Sequence, residues 1–234
     1  MTIRLMNKMK ADIKAKWEVT DLGEPSKIVG IKITIDNDLI AISQSKYIES
    51  ILKKEGLERV NPVAMPLDPN TPLVPNPEGN VRDRSNSFAR LLGELQFIVN
   101  ATRPDIAYAV NRLASYTANP SIQHVGVLKR ILQYLSGMKT HGIMYKAVPQ
   151  EPSFFFRYAD ASYGNADNRR SITRYVFLAG NGAITWCSRK QISIALSSTE
   201  AEYVALSKAA REACWLRSLY SELGLLQEEV PTLI

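Results

Sequence analysis

Thr173-Arg174-Tyr175-Val176-Phe177-Leu178-Ala179-Gly180-Asn181-Gly182-Ala183-Ile184-Thr185-Trp186-Cys187-Ser188 reads as two strands joined by a tight turn. β-Branched and aromatic residues fill both arms, and Gly180-Asn181-Gly182 supplies the positive φ that short hairpins need. Just upstream, Phe154 to Ala159 is a further strand. Downstream, Ser197-Ser198-Thr199-Glu200 is a capping-box pattern. It opens a helix expected to reach about Leu223 and to stop at Gly224. Pro231 to Ile234 resembles the beginning of another strand. Residues 152–234 are thus expected to hold three antiparallel strands, a long helix and the start of a fourth strand.

The preceding residues have a different rhythm. Met6, Met9, Ile13 and Trp17 recur at helical spacing among Lys8, Lys10, Lys14 and Lys16, as on an edge helix. Ile31 to Ile35 alternates, Asp36-Asn37-Asp38 turns, and Leu39 to Ile42 returns, so a hairpin is expected. Ser43 or Ser45 can cap the next helix, which carries Tyr47, Ile48, Ile51 and Leu52 and ends at Gly56. Six prolines between Pro62 and Pro77 make an extended connector. Helices follow at about 86–100, 104–116 and 120–135, with Pro104 and Pro120 at first helical positions and Gly137 as the stop. His124 shares a stripe with Leu128, Ile131 and Leu135, which marks it as a packed structural residue. The domain reading is 1–60, a 61–80 connector, 81–148 helical, and 152–234. The fold class is α+β.

At 234 residues the chain can bury a sizeable core, and 45% hydrophobic against 22% charged residues is ordinary globular composition. No apolar run is long enough for a membrane span, and the first residues lack the apolar stretch of a secretory signal. Two cysteines and two histidines make a disulfide framework or a zinc site improbable, which suggests an intracellular protein, cytoplasmic or nuclear. The net charge of +6 suits a polyanionic partner. It belongs to residues 1–150, because 151–234 is neutral overall. In that neutral part Arg169, Arg170, Arg174, Arg189 and Lys190 crowd the strands, while the stretch after Glu200 is mostly acidic. Singly each is an ordinary solvated charge; as a group they suit phosphate contact.

Two carboxylates stand out. Asp160 closes an apolar strand and is followed by Ala161 and Ser162, so it is either a turn residue or a paired or metal-bound acid. Glu202 is spaced with Leu206, Ala209 and Ala213, which places it on the face of the helix expected to pack on the sheet. An acid from the strand and one from the helix make a candidate site for a hard divalent cation. Trp186 and Trp215 are expected in the core, and Ser197 and Ser198 as caps.

Tyr158-Ala159-Asp160-Ala161-Ser162, Arg170-Ser171 to Phe177, Ile184 to Gln191 and Ala195 to Leu206 resemble the ribonuclease H domain of copia-type retrotransposon Pol polyproteins. Asp21-Leu22-Gly23-Glu24, Val29-Gly30-Ile31, Ala101 to Val110 and Lys129 to Leu135 resemble the segment between polymerase palm and ribonuclease H of the same polyproteins. The resemblance covers nearly the whole chain, in order. It implies a ribonuclease H-like domain, truncated after the start of its fourth strand, behind a connection region that includes the end of the reverse transcriptase. It also implies hydrolysis of the RNA strand of RNA–DNA hybrids with two Mg²⁺ ions and four acids, of which Asp160 and Glu202 match two. The partners implied are the hybrid and the remainder of Pol. There is no Asp-Asp pair, hence no polymerase hairpin, and Tyr158-Ala159-Asp160-Ala161 is not one. The chain alone is expected to be nearly inactive. The alternative is a non-catalytic element remnant that binds nucleic acid or assists assembly.

Overall fold

The computed structural model describes residues 3–68, 70–76, 82–146, 156–164 and 169–223. The expected boundary near residues 147–152, the strand start at 154–155 and the strand at 231–234 lie outside them.

A basic helix, α1 (Ile3–Lys16), comes first, with Lys10 Nζ near its middle 3.0 Å from the Asp21 carboxylate. Then β1 (Lys27–Ile28), β2 (Ile31–Asp36) and β3 (Leu39–Ser43) run antiparallel. Asp36 pairs with Leu39, leaving a two-residue turn in which Asn37 takes φ 46°, a conformation Asn tolerates. The hairpin does not stand alone. Strand β4 (Gly142–Lys146) adds beside β3, with Ser43 opposite Gly142 and Leu39 opposite Lys146, giving the order β1-β2-β3-β4. Gly142 is required there, because a Cβ would collide with the Ile42 carbonyl oxygen.

Four helices fill the interval: α2 (Ser45–Lys54), α3 (Arg82–Ala101), α4 (Ala107–Ala114) and α5 (Ile122–Gly137). Their apolar stripes meet in one cluster containing Ile48, Leu52, Leu95, Ile98, Val110 and Ile131, each at most 2% exposed. Burial on this scale is worth about 1.5–3 kcal/mol per large side chain. Residues 3–60 and 82–146 therefore share a sheet and a core, and the described part of the Pro-rich stretch between them straps this unit. Leu73 is buried, the Tyr116 hydroxyl donates to its carbonyl at 2.7 Å, and Gln123 Nε2 donates to the Pro72 carbonyl at 2.9 Å.

Local signals were partly displaced by tertiary contacts. The cap of α2 is Gln44, not Ser43 or Ser45, and no side chain caps the helix. The Gln44 amide is instead buried, its Oε1 accepting from Thr102 Oγ1 at 2.9 Å. Pro104 opens a short 3-10 turn (Pro104–Ile106) that leads into α4. Pro120 lies before the cap of α5, which is Ser121. Ser121 and His124 make a reciprocal capping pair: Ser121 Oγ accepts from the His124 amide, and His124 Nδ1 accepts from the Ser121 amide at 2.9 Å. His124 is fully buried and stacked on Tyr116 at 4.0 Å, the packed role its spacing indicates.

One polar network ties α3, α4 and α5 together. Arg103 is 2% exposed, yet its guanidinium is fully engaged. Nε and Nη2 donate to the Asp105 carboxylate at 2.9 and 2.7 Å, and Nη1 donates to the Met138 carbonyl at 2.9 Å. Tyr134 donates to the same carboxylate at 2.9 Å and places its ring 5.6 Å from the guanidinium. Burial pushes the Asp105 carboxyl up, but the bonds and charge of Arg103 and the Tyr134 bond outweigh it and hold the group below its usual value.

The second sheet is β5 (Phe156–Ser162), β6 (Ile172–Ala179) and β7 (Gly182–Lys190), antiparallel in the order β5-β6-β7, followed by α6 (Ser198–Glu222). The chain is α+β, with the expected sequence of three strands and a long helix. Ser197 caps α6 by accepting from the Glu200 amide at 3.1 Å, and Glu200 accepts from the Leu196 amide. The helix lays Ala209 and Leu216 on Phe177, with Ala159 and Tyr175 beside them. The two sheets meet at β4 and β7. Lys146 N–H donates to the Gly180 carbonyl at 2.7 Å, the Tyr145 hydroxyl to Ala183 at 2.8 Å, and Trp186 Nε1 to Val99 at 3.0 Å.

Asp105→Asn strands the buried Arg103 charge. Because the carboxylate is 36% exposed, the expected loss is about 2–3 kcal/mol, below that of a fully buried pair, in urea unfolding. A carboxyl with a lowered folded pKa stabilises above its unfolded value and ceases to as pH falls through the folded one. The wild type should thus lose stability below about pH 4, and Asp105→Asn should lose that component of the pH dependence. At the sheet junction, a Cβ on Gly182 would lie 2.6 Å from the Met144 carbonyl oxygen. Gly182→Ala should cost about 1–3 kcal/mol and increase amide exchange in β4 together with β7.

Candidate nucleic-acid interface

Strand alternation decides which residues of the second sheet can act together. Ala159, Tyr175 and Phe177 face α6. Asp160, one position on, faces the other way, toward α4. It lies within β5 and not at its end, because pairing continues to Ser162 opposite Ile172. Its partner across the ladder is Arg174, whose own partner is Ser188. Arg174 Nη1 lies 3.5 Å from Asp160 Oδ2, a long contact with the carboxylate 60% exposed. Such a pair contributes little to stability. The guanidinium carbon lies 4.9 Å from the Tyr108 ring centre, within cation–π range.

A cavity of about 250 Å³ opens here, between the Pro104–Ile106 turn with α4 on one side and the sheet on the other. Tyr108, Tyr158 and Trp186 give it aromatic walls, and Asp160, Arg174 and Ser188 give it polar atoms. A smaller, shallow depression lies beside it, where Asn111 and Arg112 of α4 and Ser115 just past its end line the same surface as Ser188 and Lys190 of β7.

The other candidates are placed differently. Glu202 is exposed, a correction to the spacing argument. The buried stripe of α6 is Ala201, Ala205, Ala209 and Leu216, while Leu206 is 40% exposed. Three alanines let the helix lie close to the sheet, and the stripe they define runs one position before Glu202. Asp160, 60% exposed, and Glu202, exposed on α6, are thus surface carboxylates and not a buried pair. Among the described residues no group of three or more His, Cys, Asp or Glu side chains could hold a metal ion. The Asp160 carboxylate faces a guanidinium, and Glu202 projects to solvent.

The five basic residues also separate. Arg174 and Lys190 lie on the α4 side of the sheet. Arg189, paired with the buried Thr173, lies on the α6 side near Cys187. Arg169 is exposed on the β5–β6 connection with φ 56°, and Arg170 is half-buried. Burial pushes the Cys187 thiol up despite Arg189, so it stays protonated near neutral pH. Burial, with Cys187 and Glu212, pushes the neighbouring Tyr175 phenol up as well.

Some positions at and around this cavity were not legible in the sequence. Tyr108 roofs the cavity from a helix remote in sequence from the strands, and no local pattern marks it. Trp186 is half-buried, packs against the first core as expected and also lines the cavity, whereas Trp215 is 56% exposed and is not the core residue expected. Gln191 is 1% exposed and holds α6 to the sheet, its Nε2 donating to Thr173 Oγ1 at 3.1 Å and to the Ala201 carbonyl at 2.9 Å.

Among the described residues no helix is long and apolar enough to cross a membrane. Residues 1–69 match the family model described as reverse transcriptase (RNA-dependent DNA polymerase). The chain is 35% identical, over 96% of its length, to the Retrovirus-related Pol polyprotein from transposon TNT 1-94 of Nicotiana tabacum. It is 32% identical, over 98%, to that from transposon RE1 of Arabidopsis thaliana. It spans 17% and 15% of the lengths of these relatives. It is also 31% identical, over 90% of its length and 86% of the relative's, to the uncharacterized mitochondrial protein AtMg00810 of Arabidopsis thaliana. No solved structure matches. With relatives of this identity running through both sheets, the chain belongs to the copia-type retrotransposon Pol polyprotein family, in its reverse transcriptase region.

Proposed function

We propose that this chain is the connection between reverse transcriptase and ribonuclease H of a retrotransposon Pol, together with the first strands and helix of the ribonuclease H-like domain. In the parent, Asp160 and Glu202 would belong to the acidic set that works with Mg²⁺ to hydrolyse the RNA strand of RNA–DNA hybrids. This polypeptide by itself binds nucleic acid and does not cut it. The three antiparallel strands followed by a packed helix support the domain reading. The observation that carries the binding reading is the shallow depression lined by Arg112 of α4 and Lys190 of β7, next to Arg174. Two cations from separate elements lining one depression suit a phosphate backbone, which is gripped without base reading. The pairing of Asp160 with Arg174, on the face away from α6, argues against independent catalysis.

Purified chain should leave a labelled RNA–DNA hybrid intact in Mg²⁺. Cleavage that disappears in Asp160→Asn would overturn this. Hybrid binding should weaken linearly with the logarithm of salt. Arg112→Glu combined with Lys190→Glu should lower affinity about tenfold or more and reduce the salt slope by about two. An unchanged slope would place the phosphate contacts elsewhere.

A further inference from the structure

Two carboxylates line the cavity beneath α4, and they are held very differently. Asp105 is taken up by Arg103 and Tyr134. Asp160 has one ion-pair partner among the described residues, Arg174, and remains 60% exposed. An exposed acid of this kind is ordinarily open to a hard cation. Its neighbour, however, is not a loose surface charge. Ladder register puts Arg174 directly opposite Asp160, so both side chains leave the same face of the sheet side by side. Tyr108, from α4 of the first unit, sets its ring centre 4.9 Å from the guanidinium carbon. Arg174 Nε is buried, so the stem is enclosed although the side chain as a whole is 40% exposed. Register, ring and packing thus hold the guanidinium with Nη1 3.5 Å from Asp160 Oδ2.

We infer that Arg174 is a built-in counter-ion that keeps divalent cations off Asp160, clamped in place from the first unit by Tyr108. A Mg²⁺ ion about 2.1 Å from Asp160 Oδ2 would lie no more than about 5.6 Å from Arg174 Nη1. Like charges that close oppose each other enough to change occupancy by about tenfold or more. The contact between Asp160 and Arg174 adds little to stability; its effect is on what else the carboxylate can bind. The inference rests on the reading of Asp160 as one of the metal-binding acids of the parent. It adds that this acid is masked from within the chain and that one substitution unmasks it.

The probe is terbium(III), a hard cation that takes oxygen ligands and emits when excited through a nearby aromatic ring. Tyr158 and Trp186 line the cavity together with Asp160, so an ion on that carboxylate is within their reach. In the full chain, Arg174→Gln should bind terbium at least about tenfold more tightly than the wild type, and Mg²⁺ should displace it. Adding Asp160→Asn should abolish the gain. Arg174→Lys keeps the charge and should stay near the wild type. Circular dichroism should be unchanged throughout, because an exposed ion pair contributes little to folding. Asp160-dependent binding of equal strength in the wild type and Arg174→Gln would overturn the inference and leave the reading of Asp160 standing. Absence of Asp160-dependent binding in both would overturn that reading and the inference with it. A gain that survives Asp160→Asn, or an equal gain in Arg174→Lys, would overturn the inference alone.

Discussion

The first unit is organised by a charge that cannot leave. The Arg103 guanidinium is enclosed where α3 ends, and a buried cation is tolerable only when its donors are met. Asp105, two residues on, and the Met138 carbonyl, just past α5, must therefore hold fixed positions. Tyr134 braces the carboxylate from α5. With those ends fixed, the Pro104–Ile106 turn presents α4 at a set height above the second sheet. That height leaves the space between Tyr108 and the strands. The cavity is thus a product of the packing of the first unit as much as of the sheet beneath it.

The second organising constraint is the period of the strand. Because adjacent residues point to opposite faces, Ala159 and Asp160 belong to different environments although they are neighbours. The α6 side holds the Phe177 cluster and is approached closely by the alanines of the helix. The α4 side carries the polar row Asp160–Arg174–Ser188. The same rule parts Arg189 from Lys190 and dissolves the basic cluster that their adjacency suggests.

Much of this was legible in the sequence where the signal was local. The hairpin at Asn37, the Gly180-Asn181 turn, the Ser197 cap and the packed His124 each follow from a few neighbouring residues. The failures have a common cause. The Gln44 cap, the burial of Arg103 and the pairing of β3 with β4 are set by residues far away in sequence. Glu202 was misplaced for a subtler reason. Two stripes one position apart on α6 both contain Ala209, and periodicity could not choose between Glu202-Leu206 and Ala201-Ala205. Only the closeness of helix and sheet, which favours alanine, selects the second. Asp160 stood out by its place at the end of an apolar run, but its face depends on register, and register is fixed by β6.

The pairing of β3 with β4 also governs the order of events during synthesis. Roughly a hundred residues separate the partners, so closure of that pair carries a large entropic cost and must await the helices. Until β4 leaves the ribosome, β3 offers an open edge to any passing strand. The hairpin is therefore exposed while the residues between β3 and β4 are being made. Premature association at β3 is the characteristic way in which this polypeptide would misfold.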